Sequence, residues 1–225
     1  MNSRLLISFS ATAAVLLAPV LSRALQPIKE DWESSANPLP TNFRTGTEIW
    51  QFSRGEGRGE GKIEVVEGKG RNGGKALSLA LDGERGMATY AAVTIPLTET
   101  QDFRFSIRRD GNDPVEVGLF VRKDRRKLLR VAIKGSEITL GVEEGGHQRA
   151  MLRGMPDAEG WLDIGLRIDR KAKTATLRVN EEEKSVEISE WEEGGYKFQF
   201  GLNFDKGNSR QPVLIDDVSW LGESR

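Results

Sequence analysis

WLDIGLRIDRKAKTATLRVN, Trp161–Asn180, alternates apolar and polar residues in two runs separated by a charged turn. Leu162, Ile164, Leu166 and Ile168 alternate with Asp163, Gly165, Arg167 and Asp169, and Ala175, Leu177 and Val179 resume the pattern after the turn. Successive strand side chains point to opposite faces, so each run reads as a strand with one face on a core. The pattern extends both ways, through Leu77, Leu79 and Leu81, then Phe103, Phe105 and Ile107, then Val115, Val117, Leu119 and Val121. It continues with Leu129, Val131 and Ile133, with Ile138, Leu140 and Val142, and with Tyr196, Phe198, Phe200, Leu202 and Phe204. Roughly a dozen short strands at intervals of about 8–12 residues predict an all-β sandwich.

Turn chemistry agrees with that reading. Asp110–Pro114, Lys134–Ser136, Glu144–Gly146 and Lys206–Asn208 supply Gly, Asn or Pro where the chain must reverse. The gaps are too short for parallel crossovers, which need a dozen or more residues, so a meander of antiparallel strands is expected. RGEGRGEG, Arg54–Gly61, is too polar and glycine-rich to bury anything and reads as an exposed loop. It lacks the Lys-Ser or Lys-Thr and the following helix of a phosphate-binding loop.

Composition narrows the chemistry. The 225 residues include 33 Lys plus Arg, 34 Asp plus Glu, one His and no Cys. Without cysteine there is no disulfide, thiol nucleophile or thiolate metal site, and the lone His147, read as a surface turn residue, cannot make paired imidazole ligands. A balanced charge argues against a nucleic-acid binder. At the N-terminus Arg4 precedes an apolar run, Leu5–Leu21, interrupted by Ser8, Ser10 and Thr12, and Ser22-Arg23-Ala24 places small residues at a cleavage site. Residues 1–24 therefore read as a signal peptide and 25–225 as one domain, with no membrane span after cleavage and a secreted, periplasmic or cell-envelope location.

Three segments carry a family resemblance. Trp161–Asn180 resembles the central hairpin of laminin G-like and concanavalin A-like jelly rolls, in which a Trp opens a strand and Asn or Asp closes the next. VLIDDVSW, Val213–Trp220, looks like the closing strand of many carbohydrate-binding jelly rolls, and Asp31-Trp32-Glu33 with Pro40 and Trp50 is similar to their opening strand. The resemblance implies an antiparallel two-sheet jelly-roll sandwich of the concanavalin A-like superfamily. The hairpin departs from the pattern in one respect: Glu181, Glu182 and Glu183 follow Asn180 where Gly is usual, so a longer turn is expected. The resemblance also implies a structural calcium between a carboxylate of the first strand and the first Asp of the closing strand, here Glu33 and Asp216. Parity favours Asp216 over Asp217, since it shares a strand face with Leu214, Val218 and Trp220, and an inward carboxylate needs a cation or hydrogen bonds. An edge-capping Asp216 that binds no ion is the alternative.

Binding candidates follow from aromatic and cationic side chains. Trp32, Trp161 and Trp220 read as core; Trp191, flanked by Glu190 and Glu192, and Trp50, beside the glycine-rich loop, are the candidates for stacking on a sugar ring. Arg122, Arg125 and Arg126 form a basic hairpin tip, either simply solvated or suited to the sulfate or carboxylate groups of an acidic polysaccharide. The carboxylate spacing of retaining jelly-roll glucanases, Glu-x-Asp-x-Glu or Glu-x-Asp-x-x-Glu, does not occur. No triad or lyase grouping can be assembled, so catalysis, as a polysaccharide hydrolase or lyase, ranks last. The leading expectation is a non-catalytic exported module whose partner is a polysaccharide or other glycan. The second is a structural or adhesion module with an envelope or extracellular protein as partner.

Overall fold

Numbered in chain order, the strands of the protein are β1 (Ile28–Glu30), β2 (Asn42–Thr45), β3 (Glu48–Ser53), β4 (Gly59–Val66), β5 (Ala76–Gly83), β6 (Ala88–Leu97), β7 (Thr100–Arg109) and β8 (Val115–Val121). They continue as β9 (Lys127–Lys134), β10 (Glu137–Val142), β11 (Arg149–Arg153), β12 (Trp161–Asp169), β13 (Thr174–Val179), β14 (Glu182–Glu187), β15 (Gly194–Asn203) and β16 (Val213–Glu223). The structure, a computed structural model, describes residues 28–33, 42–45, 48–53, 59–83, 88–109, 115–121, 127–142, 148–189, 191, 194–203 and 212–223. The expected signal peptide, His147 and the arginines of the 122–126 tip lie outside these residues. Among them, no helix is long and apolar enough to cross a membrane.

All described pairings are antiparallel. Sheet A runs β14-β13-β12-β7-β16-β5-β4 with β1 added on β16, and sheet B runs β11-β10-β9-β8-β15-β6-β3-β2. The alternation thus becomes an antiparallel two-sheet sandwich, but not the expected meander. Neighbours in sequence pair within β2–β3, β4–β5, β8–β11 and β12–β14, whereas β5, β6, β7 and β8 pass alternately from one sheet to the other. This interleaving places β7 between β12 and β16 and β15 between β8 and β6, strands far apart in sequence. Short connections limit handedness and pairing direction; they do not forbid stepping across the core to the opposite sheet.

The two central strands meet face to face. Phe103 of β7 stacks on Phe198 of β15 with ring centroids 4.5 Å apart, and Phe200 lies edge-on to both Phe198 (5.2 Å) and Phe105 (5.1 Å). These rings and Leu77, Leu79, Val131, Ile133, Leu140 and Leu166 of the alternating runs are buried between the sheets. Offset and edge-on contacts satisfy the ring quadrupoles while removing large apolar areas from water.

Two local expectations are corrected. The β13–β14 connection is not lengthened by its glutamates: Val179 pairs with Glu182, leaving a two-residue turn in which Asn180 takes the left-handed φ of 54° that Asn tolerates better than most residues. Of the RGEGRGEG stretch, Gly59, Glu60 and Gly61 are not loop but the start of β4, paired with Gly83, Asp82 and Leu81. The fold assigns Phe198 the centre of the core. Phe198→Ala is expected to cost about 3–5 kcal/mol in urea denaturation, and a loss below about 1 kcal/mol would place the ring outside the packed centre.

Candidate functional site

The closing strand is irregular where its chemistry lies. Ile215 faces the core between the sheets, but register shifts between Asp216 and Ser219, and Asp217 takes a left-handed φ of 50°. A bulge of this kind inserts an extra residue and reverses the alternation beyond it. Val218 and Trp220 therefore face the core, whereas Leu214 belongs to a second small cluster with Ala76 and Trp161. The parity that placed Asp216 on the side of Val218 and Trp220 is overturned. Asp216 pairs with Ser106 on the outer face of sheet A and is 4% exposed.

What buries it is the segment joining β4 to β5. A single 3-10 turn, Arg71–Gly73, crosses the outer face, and the N–H of Arg71 donates to Asp216 Oδ2 at 2.8 Å while that of Asp217 donates to Oδ1 at 2.8 Å. Glu33 grips the other end of the segment, its Oε1 accepting from the N–H of Lys75 at 2.7 Å. Trp32, wholly buried, sits at a left-handed φ of 62°, a conformation costly for a bulky side chain. Burial of the indole sustains that turn beside Glu33. At Gly74 a Cβ would lie 2.2 Å from Glu33 Oε1, so glycine lets that carboxylate approach the backbone without shifting.

Glu33 and Asp216 thus hold two ends of the same segment through its backbone N–H groups, Asp216 from the outer face of sheet A. Burial pushes the Asp216 carboxyl up to about 6, and the charges of Asp217 and Glu33 push the same way against two backbone N–H donors. Among the described residues, the hydrogen bonds to Asp216 come from backbone N–H groups and no ion pair to a Lys or Arg side chain is formed. A buried carboxylate beside a second one, without a side-chain cation, suits a hard, oxygen-seeking ion. Among the described residues no three acidic, His or Cys side chains converge, so further ligands would be backbone carbonyls or water.

Arg71 extends the clamp sideways. Its guanidinium forks onto Asp163, Nη1 to Oδ1 at 2.6 Å and Nη2 to Oδ2 at 3.1 Å. It also donates to Asp157 Oδ2 at 2.9 Å and to the buried Ser106 Oγ at 3.0 Å. Ser106 in turn donates to Asp163 Oδ1 at 2.7 Å. Hydrogen bonding to Asp163 raises the Arg71 pKa further, so it is charged at any ordinary pH. Asp157 Oδ1 accepts from the N–H groups of Trp161 and Glu159, which with Arg71 hold its carboxyl below the usual range.

Beyond this wall the outer face of sheet A lies open. A trough of about 450 Å³ runs over Gly165 and is edged by Lys29, Arg104, Arg178, Asn180, Ser219 and the Asp163–Arg71 wall. A second hollow of about 200 Å³, sharing Gly165 and Arg178, continues it toward Asp102, Arg167, Thr176 and Glu183. Gly165 makes the floor: a Cβ there would stand 3.2 Å from Arg178 Cβ. Arg104 pairs with Asp102 (2.9 Å) and Arg178 with Glu183, while Lys29 is exposed without an ion pair among the described residues.

The aromatic candidates fare differently. Trp191 is 4% exposed, belongs to the core and accepts Arg170 Nη2 on its backbone carbonyl at 2.6 Å. It presents no ring face to a sugar, because the acidic residues around it in sequence do not lift the indole out of the sandwich. Trp32, Trp161 and Trp220 are buried as expected, Trp161 beneath the Arg108 guanidinium at 5.1 Å. Trp50 lies in β3, paired with Val93 and Phe43. Arg122, Arg125 and Arg126 lie outside the described residues. The trough residues were missed as a group, although Gly165 within an alternating strand is a recognisable sign of close approach or an open floor.

No known family profile matches the chain, and no curated protein matches it by sequence. Its fold is similar to solved structures of a sialidase (TM-score 0.60, 10% identity, 88% of this chain, 18% of that one) and of the Emp47p carbohydrate recognition domain (0.56, 11%, 88% and 95%). The receptor binding domain of botulinum neurotoxin D is also similar (0.50, 11%, 74% and 45%). The chain spans about a fifth of the sialidase and under half of the toxin domain structure, and almost all of the Emp47p domain. The likeness establishes a lectin-like β-sandwich.

The raised Asp216 pKa has a signed consequence. Its stabilising contribution is full below the unfolded value near 3.8 and is lost as pH rises through about 6, a change on the order of 2–3 kcal/mol. In chelator-containing buffer, wild-type stability should fall from pH 4 to pH 7 relative to Asp216→Asn, measured by urea denaturation across pH; parallel curves would refute the burial of this charge.

Proposed function

We propose that the chain is an exported, non-catalytic carbohydrate-binding module, directed to the exterior or the cell envelope by residues 1–24. The trough carries the reading. Sugar hydroxyls both donate and accept, and the walls offer both kinds of partner: guanidinium and amide N–H groups from Arg104, Arg178 and Asn180, and oxygens from Asp163, Asp217 and Ser219. The glycine floor lets a ring approach the sheet. Resemblance to carbohydrate-recognition folds supports the same reading.

We propose further that calcium is held by Glu33 and Asp216 in a structural role. Bound there, the ion would supply positive charge to the buried Asp216 and the exposed Glu33 and tie the opening segment, the Arg71 turn and β16 together. Arg71 then keeps Asp163 and Ser106 in place along the trough wall through the contacts described above.

Two measurements test these readings. Wild-type protein should be retained on a glycan array, and Gly165→Leu or the gentler filling Ser219→Leu should weaken that retention by about tenfold or more; a folded wild type that binds no glycan overturns the reading. Millimolar calcium should raise the melting temperature of chelator-treated protein by several degrees, as expected of an ion that binds only the folded chain. Glu33→Gln combined with Asp216→Asn should abolish the shift, and an unchanged melting temperature in wild type would rule out the ion.

A further inference from the structure

Strand register places the trough's cations in a line across the sheet. Lys29 pairs with Ser219, Ser219 with Arg104, Arg104 with Gly165, and Gly165 with Arg178, crossing β1, β16, β7, β12 and β13 in turn. Cationic and small residues therefore alternate along one transverse row. Adjacent strands lie about 4.8 Å apart, so successive cations are rooted about 10 Å apart. Ser219 and Gly165 keep the floor between them low.

We infer that this row binds an extended polyanionic polysaccharide lying across the strands, with one acidic group in every disaccharide. The inference rests on the glycan-binding reading and specifies its ligand class. The spacing of the cations is on the scale of a disaccharide in an extended chain, so acidic groups on alternate sugars meet Lys29, Arg104 and Arg178 in turn, while the sugars between them pass over Ser219 and Gly165. The arginine forks match the paired oxygens of a uronate carboxylate or a sulfate.

The carboxylates already present do not block such a ligand. Asp102 and Glu183 hold Arg104 and Arg178 from the side, and the side chains of Arg104 and Glu183 are about half exposed. Exposed pairs of this kind contribute only about 0–1 kcal/mol, so a ligand anion can share or replace them at little cost. Lys29 has no such partner among the described residues, and the Asp163 charge on the neighbouring row is already taken up by Arg71. The chain as a whole has a formal charge of −1. General electrostatic attraction to a polyanion is therefore absent, and the attraction must come from a local arrangement.

The test uses oligomers of polygalacturonate and of dextran sulfate, with neutral dextran and a neutral glycan array beside them, read by calorimetry at low and physiological salt. Wild type should bind at least one of the two anionic probes more tightly than dextran, and more weakly as salt rises. The triple variant Lys29→Ala/Arg104→Ala/Arg178→Ala should lose about tenfold or more, equivalent to ~1.4 kcal/mol. Ser219→Glu, which places a carboxylate in the row and removes no ion pair, should lose a similar factor; it decides the matter if the triple variant unfolds. Lys134→Ala/Arg149→Ala/Arg153→Ala removes the same charge from exposed positions on sheet B and should bind as wild type does. Equal loss in both triple variants, or unchanged binding in Ser219→Glu, overturns the row as the site. Wild-type binding to neutral glycans alone overturns the polyanion and leaves the broader reading standing, whereas binding to no glycan overturns both.

Discussion

The contact between the Asp216 carboxylate and the N–H of Arg71 governs how sheet A meets solvent. A carboxylate this deeply buried is unfavourable in isolation, and two backbone donors only partly compensate it. In return it fixes the backbone of a three-residue turn to the sheet, beside the contacts that the Arg71 side chain and Glu33 make. With the turn in place, Val66 and the Ala76–Trp161–Leu214 cluster are covered, and the Arg71 side chain is delivered to Asp163, Asp157 and Ser106. One half of the outer face becomes a small second core. The other half remains an open trough.

That division explains why the open half of the face is lined by polar rather than aromatic groups. Four of the five tryptophans are buried, three of them between the sheets and Trp161 beneath Arg108. What the open half offers instead is planar, charged and amide groups around a floor without side chains. On the proposed reading, such a surface would meet hydroxyls and acidic oxygens through hydrogen bonds, with specificity set by the angles of the arginine forks more than by apolar area.

Much of the fold was legible because period-two alternation is a local property. Leu162, Ile164, Leu166 and Ile168 face the core in the structure as they do in the sequence pattern, and so do Phe103, Phe105, Phe198 and Phe200. The polar partners on those strands, Arg104, Asp163, Gly165 and Arg178, were likewise readable as outward positions. Their association was not. Arg104 and Gly165 are neighbours because β7 and β12 pair, and Ser219 joins them because β16 pairs with β7 on its other side. Hydrogen bonding between strands depends on which edges meet after collapse, a non-local outcome that alternation leaves open. The same limit misled the reading of Asp216, where one left-handed residue at Asp217 reversed the facing of everything after it.

By itself, then, the order of residues determined the kind of element and the antiparallel direction of pairing. Only the tertiary structure decided the exchange of strands between sheets, the burial of Trp191, and the row in which three distant cations line up across a glycine floor. The physical reason is the range of the forces involved. Side-chain alternation and turn preference act over a few residues, whereas register across a sheet and the covering of one face by a distant turn are settled by packing of the whole chain.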